Sequence, residues 1–139
     1  MQHAISQGYS VFFYDRLGQG SSQKISGYVN QINIHAGILK ELSKIGRSGQ
    51  YTPTIGKPEK LALMGFSFGS YITHAAIGTS PEIADAVVLT AIGLNSTGIN
   101  ANGLVRSFVP RIGNSHDKKF AAWDNGYLTW VDKFANINT

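Results

Sequence analysis

Residues 61–77 hold the stretch whose residue types and spacing could do chemistry. Leu61-Ala62-Leu63-Met64 is a short apolar run that stops at Gly65-Phe66-Ser67-Phe68-Gly69 and resumes with helical spacing through His74, Ala75, Ala76 and Ile77. The pattern predicts a strand, a sharp turn and a helix, with a serine at the apex. A serine there needs a strained backbone, and the flanking strand and helix come so close that side chains two residues to either side would collide. Glycines at 65 and 69 are expected to remove that collision. The turn would lift the Ser67 hydroxyl above the sheet edge. The backbone N–H of Phe68, at the helix start, would then face the place where an oxyanion forms on a carbonyl under attack. Ser67 is therefore the candidate nucleophile and Phe68 the candidate oxyanion donor. Gly-x-Ser-x-Gly also arises by chance in glycine-rich loops; the apolar strand before it and the immediate helix after it favour the functional reading.

Such a corner needs a scaffold. Ala4 and Ile5 read as the last turn of a helix that Gly8 stops, and residues 9–14, Tyr-Ser-Val-Phe-Phe-Tyr, read as a strand buried on both faces. In the following loop, Asp15 to Ser22, Gly18 and Gly20 permit positive φ and close backbone approach, and Asp15 is expected to bond N–H groups of its own turn. This is not a dinucleotide fingerprint, because Gln23 stands where a third small residue is needed. Gly56-Lys57-Pro58 fails as a phosphate loop, because Tyr51 and Pro58 occupy positions that call for glycine and a hydroxyl. A helix is predicted over 28–45, with Val29, Ile32, Ala36 and Leu39 on one side and Ile38, Leu42 and Ile45 widening the face; Gly46 and Gly49 end it. After a surface connection over 50–59 come a strand at 60–64, the serine corner, a helix to about 77, and a third buried strand over 84–92.

Strand, helix, strand, helix, strand predicts an α/β fold, a parallel sheet with right-handed crossovers. Residues 93–113 are instead rich in Asn, Gly and Ser. Residues 120–134 carry Trp123, Tyr127, Trp130 and Phe134 at near-helical intervals, which predicts a mostly helical segment. Those aromatics would form either a substrate-facing lid or a packing face. Neither an internal repeat nor a low-complexity segment is visible.

Composition narrows the function. The 139 residues suffice for one domain, and 42% apolar content is enough for an ordinary core. Charged residues make up only 14%, against about 25% in typical soluble domains, as expected if more protein covers part of the surface. The net charge of +4 comes from twelve basic residues scattered singly, with Lys118-Lys119 the adjacent pair, so no stripe suits nucleic acid. No apolar run approaches the roughly 20 residues of a membrane span. The first residues, Met-Gln-His-Ala-Ile-Ser-Gln, are unlike a secretory signal. The absence of cysteine removes disulfides and thiolate metal sites and leaves the cellular compartment open. Asn95-Ser96-Thr97 fits the N-glycosylation pattern. No cofactor and no metal are implied.

Gly8-Tyr9-Ser10-Val11 followed by Asp15-Arg16-Leu17-Gly18-Gln19-Gly20-Ser21-Ser22 resembles the fourth strand of the α/β hydrolase family and the Asp-x-x-Gly-x-Gly-x-Ser loop after it. Gly65-Phe66-Ser67-Phe68-Gly69 resembles the family's nucleophile elbow after its fifth strand, at the family's usual separation and with a helix between. Residues 126–133, Gly-Tyr-Leu-Thr-Trp-Val-Asp-Lys, are similar to the cap region of fungal members. The resemblance implies a partial hydrolase core over 1–95, strands four to six of the family, and the start of a cap over 96–139. It matches Ser67 to the nucleophile and Phe68 to the oxyanion amide, and carries over no other residue. A second oxyanion donor would precede Met1; the acid and histidine would lie beyond Thr139.

Serine hydrolysis needs a base within about 3 Å of the hydroxyl and an acid to orient it. His74 is too far along the helix from Ser67, roughly 10 Å at 1.5 Å per residue. His3 and His35 fall in helices that the resemblance puts on the flanks of the sheet, and are read as surface or packing residues. His116 would need an acid between it and Ser67 at a strand end. Glu82 and Asp85 stand before or at the entry of the third strand, whose exit is free of acids as far as Ser115, so His116 reads as an exposed loop residue. Asp117, Asp124 and Asp132 read as solvated carboxylates of the cap.

In the family, the third strand lies between the fourth and the fifth. Without it, residues 9–14 and 60–64 would stand about 10 Å apart with unpaired backbone groups facing a gap. The chain is thus expected to be a piece of a longer hydrolase, or to complete its sheet with another chain or as an oligomer. The leading reading is a serine hydrolase that acts on a small-molecule carboxylic ester or amide through an acyl-enzyme on Ser67, the isolated chain lacking base and acid. The alternative is a non-catalytic hydrolase-like remnant or binding module.

Overall fold

The computed structural model describes residues 2–50, 56–95, 108–110, 118 and 122–130. The chain divides into two compact units, Met1–Gln23 with Ile32–Ile92, and Lys24–Gln31 with Gly93–Thr139.

The first unit runs α1 (Gln2–Ser6), α2 (Ile32–Ser48), β1 (Ala62–Phe66), α3 (Phe68–Thr79), a 3-10 turn (Pro81–Ile83) and β2 (Ala86–Thr90). Gly8 takes φ 83 and stops α1 as its position suggests. α2 begins at Ile32 rather than 28, because the preceding residues are committed to local turns: the Val29 and Asn30 N–H groups both donate to Ser26 O, at 3.0 and 2.9 Å. It passes through Gly46 and ends beside Gly49, whose φ of 75 only glycine adopts without strain. Ala36 of α2, Ala76 of α3 and Ile83 are the buried centre, with Leu39, Leu63, Ala75, Ile77 and Ala84 packed around them.

β1 and β2 pair in parallel, from Ala62 opposite Ala86 to Phe66 opposite Thr90, with α3 as the crossover. Both lie within a residue or two of the expected strands. At their entry the Leu61 N–H donates to Asp85 Oδ2 and the Asp85 N–H to Leu61 O, each at 2.8 Å. Arg47 at the end of α2 holds the same carboxylate at 3.0 Å and donates through Nε to Ile83 O at 3.2 Å, so helix and strand entry are tied together. The Leu61 N–H bond, then the nearby Arg47 and Lys60 charges, hold the Asp85 carboxyl below the ordinary aspartate range. One face of β1, Leu63 and Gly65, turns inward, while Met64 and Phe66 on the other remain 74% exposed.

Residues 9–14 depart from the expected buried strand. They join no ladder among the described residues, and Tyr9, Phe12 and Phe13 are exposed. A strand exists only with a hydrogen-bonded partner, and the sheet of this unit consists of β1 and β2 alone among the described residues. Apolar content proposes a strand; the partner decides it.

In the second unit, β3 (Phe108–Pro110) and β4 (Leu128–Trp130) pair antiparallel, with Phe108 opposite Trp130. The helix expected over 120–134 is absent from its described part, which is a turn followed by β4. Asp124 is the reason. Its Oδ1 accepts the Gly126 N–H at 2.9 Å, both its oxygens accept the Gly27 N–H at 3.1 Å, and the Tyr127 N–H donates to its carbonyl at 3.2 Å. A side chain that bonds nearby backbone in this way competes with a helix. A Cβ at Gly126 would lie 2.3 Å from Tyr28 N, and one at Gly27 2.5 Å from Gly126 C, so these segments meet backbone to backbone. The Tyr127 hydroxyl donates to Ile25 O at 2.7 Å, Trp123 packs on Tyr127 at 4.7 Å, and Lys24 lies over Trp123. Trp123 and Tyr127 are therefore packing residues. Asp124, expected as a solvated carboxylate, is a structural clamp whose pKa is lowered by its Ser26 hydrogen bond and the two glycine amides. Asp117, Asp132, His116 and Phe134 lie outside the described residues. Among the described residues no helix is long and apolar enough to cross a membrane.

Candidate active site

Ser67 occupies the single-residue turn between β1 and α3, with φ 50 and ψ −119. A non-glycine residue at positive φ costs on the order of 1–3 kcal/mol and persists only where its surroundings over-determine it. Here they do. The Ser67 N–H donates to Thr90 O at 3.0 Å, at the end of β2, and Ser67 O accepts the Ser70 N–H at 2.9 Å to open the helix. Ser70 is fully buried; its Oγ donates to Thr90 O at 2.6 Å and accepts the Thr90 N–H at 3.0 Å. Thr90 Oγ1 donates to Gly65 O at 2.9 Å. The corner is thus bolted to the neighbouring strand from both sides while Ser67 itself is exposed.

Of the two glycines, only one is required by the space around it. A Cβ at Gly65 would sit 2.6 Å from Ser70 Cα and 2.7 Å from Gly69 O, both backbone atoms that cannot step aside. A Cβ at Gly69 meets nothing within 4 Å beyond its own helix. This corrects the expected two-sided collision: the close approach runs from the strand to the backbone of residues 69 and 70, so a side chain is excluded on the strand side alone.

Phe68 is the first residue of α3, where backbone N–H groups have no acceptor within the helix, and its N–H donates to no acceptor among the described residues. The helix dipole adds positive potential there. The Phe68 ring is gripped from two directions. The Arg16 guanidinium lies over it at 5.1 Å, and the His35 ring meets it nearly perpendicular, at 6.2 Å. Arg16 comes from the glycine loop, which Asp15 shapes as expected by accepting the Ser21 N–H at 3.0 Å, while the Ser22 hydroxyl donates to Asp15 O.

None of the described histidines is hydrogen-bonded to Ser67. His3 on α1 and His74 on α3 are exposed, whereas His35 is buried, with Nδ1 lacking a partner. Burial, and secondarily the Arg16 charge, lower the His35 pKa and keep its ring neutral at neutral pH. Burial also raises the Tyr14 phenol, against the pull of Arg16. Sequence reasoning missed Ser70, Thr90 and Arg16. The signal for the first two was present: a hydroxyl residue inside an apolar run must find a hydrogen-bond partner.

A parallel sheet, a crossover helix and an exposed serine at the strand-to-helix corner define a partial α/β hydrolase fold. A family model described as Serine aminopeptidase, S33 matches residues 2–123, and the chain belongs to that family of serine-type α/β hydrolases. No curated protein and no solved structure matches it.

Proposed function

We propose that the chain carries the nucleophile elbow of an acyl hydrolase, with Ser67 attacking a carboxylic ester or amide and the Phe68 N–H stabilising the oxyanion. The observation that carries this reading is the backbone of Ser67, held at positive φ by Thr90 and Ser70 next to an amide with no internal acceptor. In the reaction, Ser67 Oγ bonds to the carbonyl carbon while its proton passes to a base. The carbonyl oxygen takes up the electron pair and accepts the Phe68 N–H; collapse expels the alcohol or amine and leaves an acyl-enzyme for water to cleave. Base, acid and second oxyanion donor come from outside the described residues. The family's description as a serine aminopeptidase fits an amide at a peptide amino terminus within this acyl class. Residues 96–139 are proposed as the start of a substrate-shaping cap.

The test is covalent labelling with a fluorophosphonate probe. The probe is applied to folded protein that carries the base and acid: labelling that disappears in Ser67→Ala supports the reading, and no label on that protein overturns it. A second reading, a hydrolase-like binding module without turnover, is favoured by the absence of a Ser67–histidine hydrogen bond among the described residues. It predicts no label and no ester turnover.

A further inference from the structure

Three carboxylates of the first unit, Asp15, Glu41 and Asp85, are engaged away from Arg16, and none of its carboxylates pairs with Arg16 among the described residues. Asp15 accepts the Ser21 N–H, Glu41 pairs with Lys44 at 2.6 Å, and Asp85 with Arg47 and Lys60. Arg16 forms no ion pair within its unit among the described residues, although it is half-buried. Its polarisable neighbours are the Phe68 ring, a neutral buried imidazole and a neutral phenol, none of which balances its charge. A half-buried cation without a counter-ion is an unfavourable arrangement that an incoming anion relieves. Arg16 is well formed for that purpose. A guanidinium lying over an aromatic ring keeps its in-plane N–H groups free, and their fork matches a carboxylate. The ring it lies over belongs to Phe68, immediately after Ser67.

We propose that Arg16 is a specificity-determining residue that binds a carboxylate on the substrate, so that the ester or amide cleaved at Ser67 carries a negative charge near its scissile carbonyl. The inference rests on the proposed role of Ser67, but its test separates the two. The full chain, labelled with nitrogen-15, is titrated with monomethyl glutarate, an anionic half-ester, and with methyl butyrate, its neutral counterpart. The half-ester is expected to shift the Phe68 amide and Arg16 Nε–H signals saturably, to bind about tenfold more tightly than the neutral ester, and to weaken as salt rises. Arg16→Gln is expected to abolish the difference, and Arg16→Lys, which keeps the charge but loses the fork, to retain part of it.

Equal binding of the two esters, no binding of the half-ester, or a difference that survives Arg16→Gln overturns the proposal. If Arg16→Gln collapses the amide spectrum, Arg16→Lys decides: a weaker half-ester with an unchanged neutral ester supports the role, and no change overturns it. Fluorophosphonate labelling in parallel tells the two failures apart. Label on Ser67 without anion discrimination removes Arg16 and leaves the reaction; discrimination without label, in protein that carries the base and acid, keeps the anion site and removes the reaction.

Discussion

Ser70 and Thr90 exchange two hydrogen bonds, Oγ to O at 2.6 Å and N to Oγ at 3.0 Å, across the gap between the first turn of α3 and the end of β2. The Thr90 carbonyl that accepts from Ser70 also accepts from the Ser67 N–H. One hydroxyl thereby locks the strand end that holds the strained serine. Ser70→Ala leaves a half-buried N–H without its acceptor, and is expected to cost about 1–3 kcal/mol in urea unfolding and to slow labelling of Ser67. A variant with unaltered stability would show that the Thr90 N–H finds water instead.

The two glycines of the corner are expected to behave oppositely. Gly65→Ala forces a Cβ against backbone and should destabilise by about 1–3 kcal/mol. Gly69→Ala, in open space within a helix, should stabilise by roughly 0.4–1 kcal/mol through the unfolded chain. Thermal unfolding of both variants checks this, and equal losses would put a neighbour beside Gly69.

The corner was legible in the sequence because its determinants are local: an apolar run, a glycine, a serine and helical spacing within a few residues. What escaped was non-local. Residues 9–14 have the composition of a buried strand, yet pairing depends on a neighbour that composition does not reveal. Asp124 looked solvated because its partner Gly27 lies 97 positions away in the chain. Gly65 and Gly69 are equivalent in the pentad, and only the direction of the close approach separates them. Arg16 was read as one letter of a glycine loop, and its position over Phe68 follows from how that loop is folded.

Acid stability should depend on Asp85. Its folded pKa lies below the ordinary 3.8, chiefly through the Leu61 N–H, so the folded state binds fewer protons than the unfolded one. The stabilisation is therefore complete above about pH 4 and lost as pH falls through the folded value. Urea midpoints between pH 2 and 5 are expected to fall less steeply in Asp85→Asn than in the parent chain. Parallel curves would mean that Leu61 and Arg47 hold the carboxylate no better than water does.

His35 should add a second acid sensitivity at higher pH. Its folded pKa is lowered from 6.5, first by burial and then by Arg16, so the unfolded chain again takes up the proton more readily. Stability from this residue is present above about pH 6.5 and drains away as pH falls through the lower folded value. Because the imidazole meets the Phe68 ring, the Phe68 amide signal is expected to shift over the same pH range. Arg16→Gln removes the lesser of the two causes and should raise the His35 pKa without restoring the ordinary value, as followed by its ring proton shifts. A His35 titrating at its ordinary pKa in the folded chain would show that the ring is hydrated rather than buried.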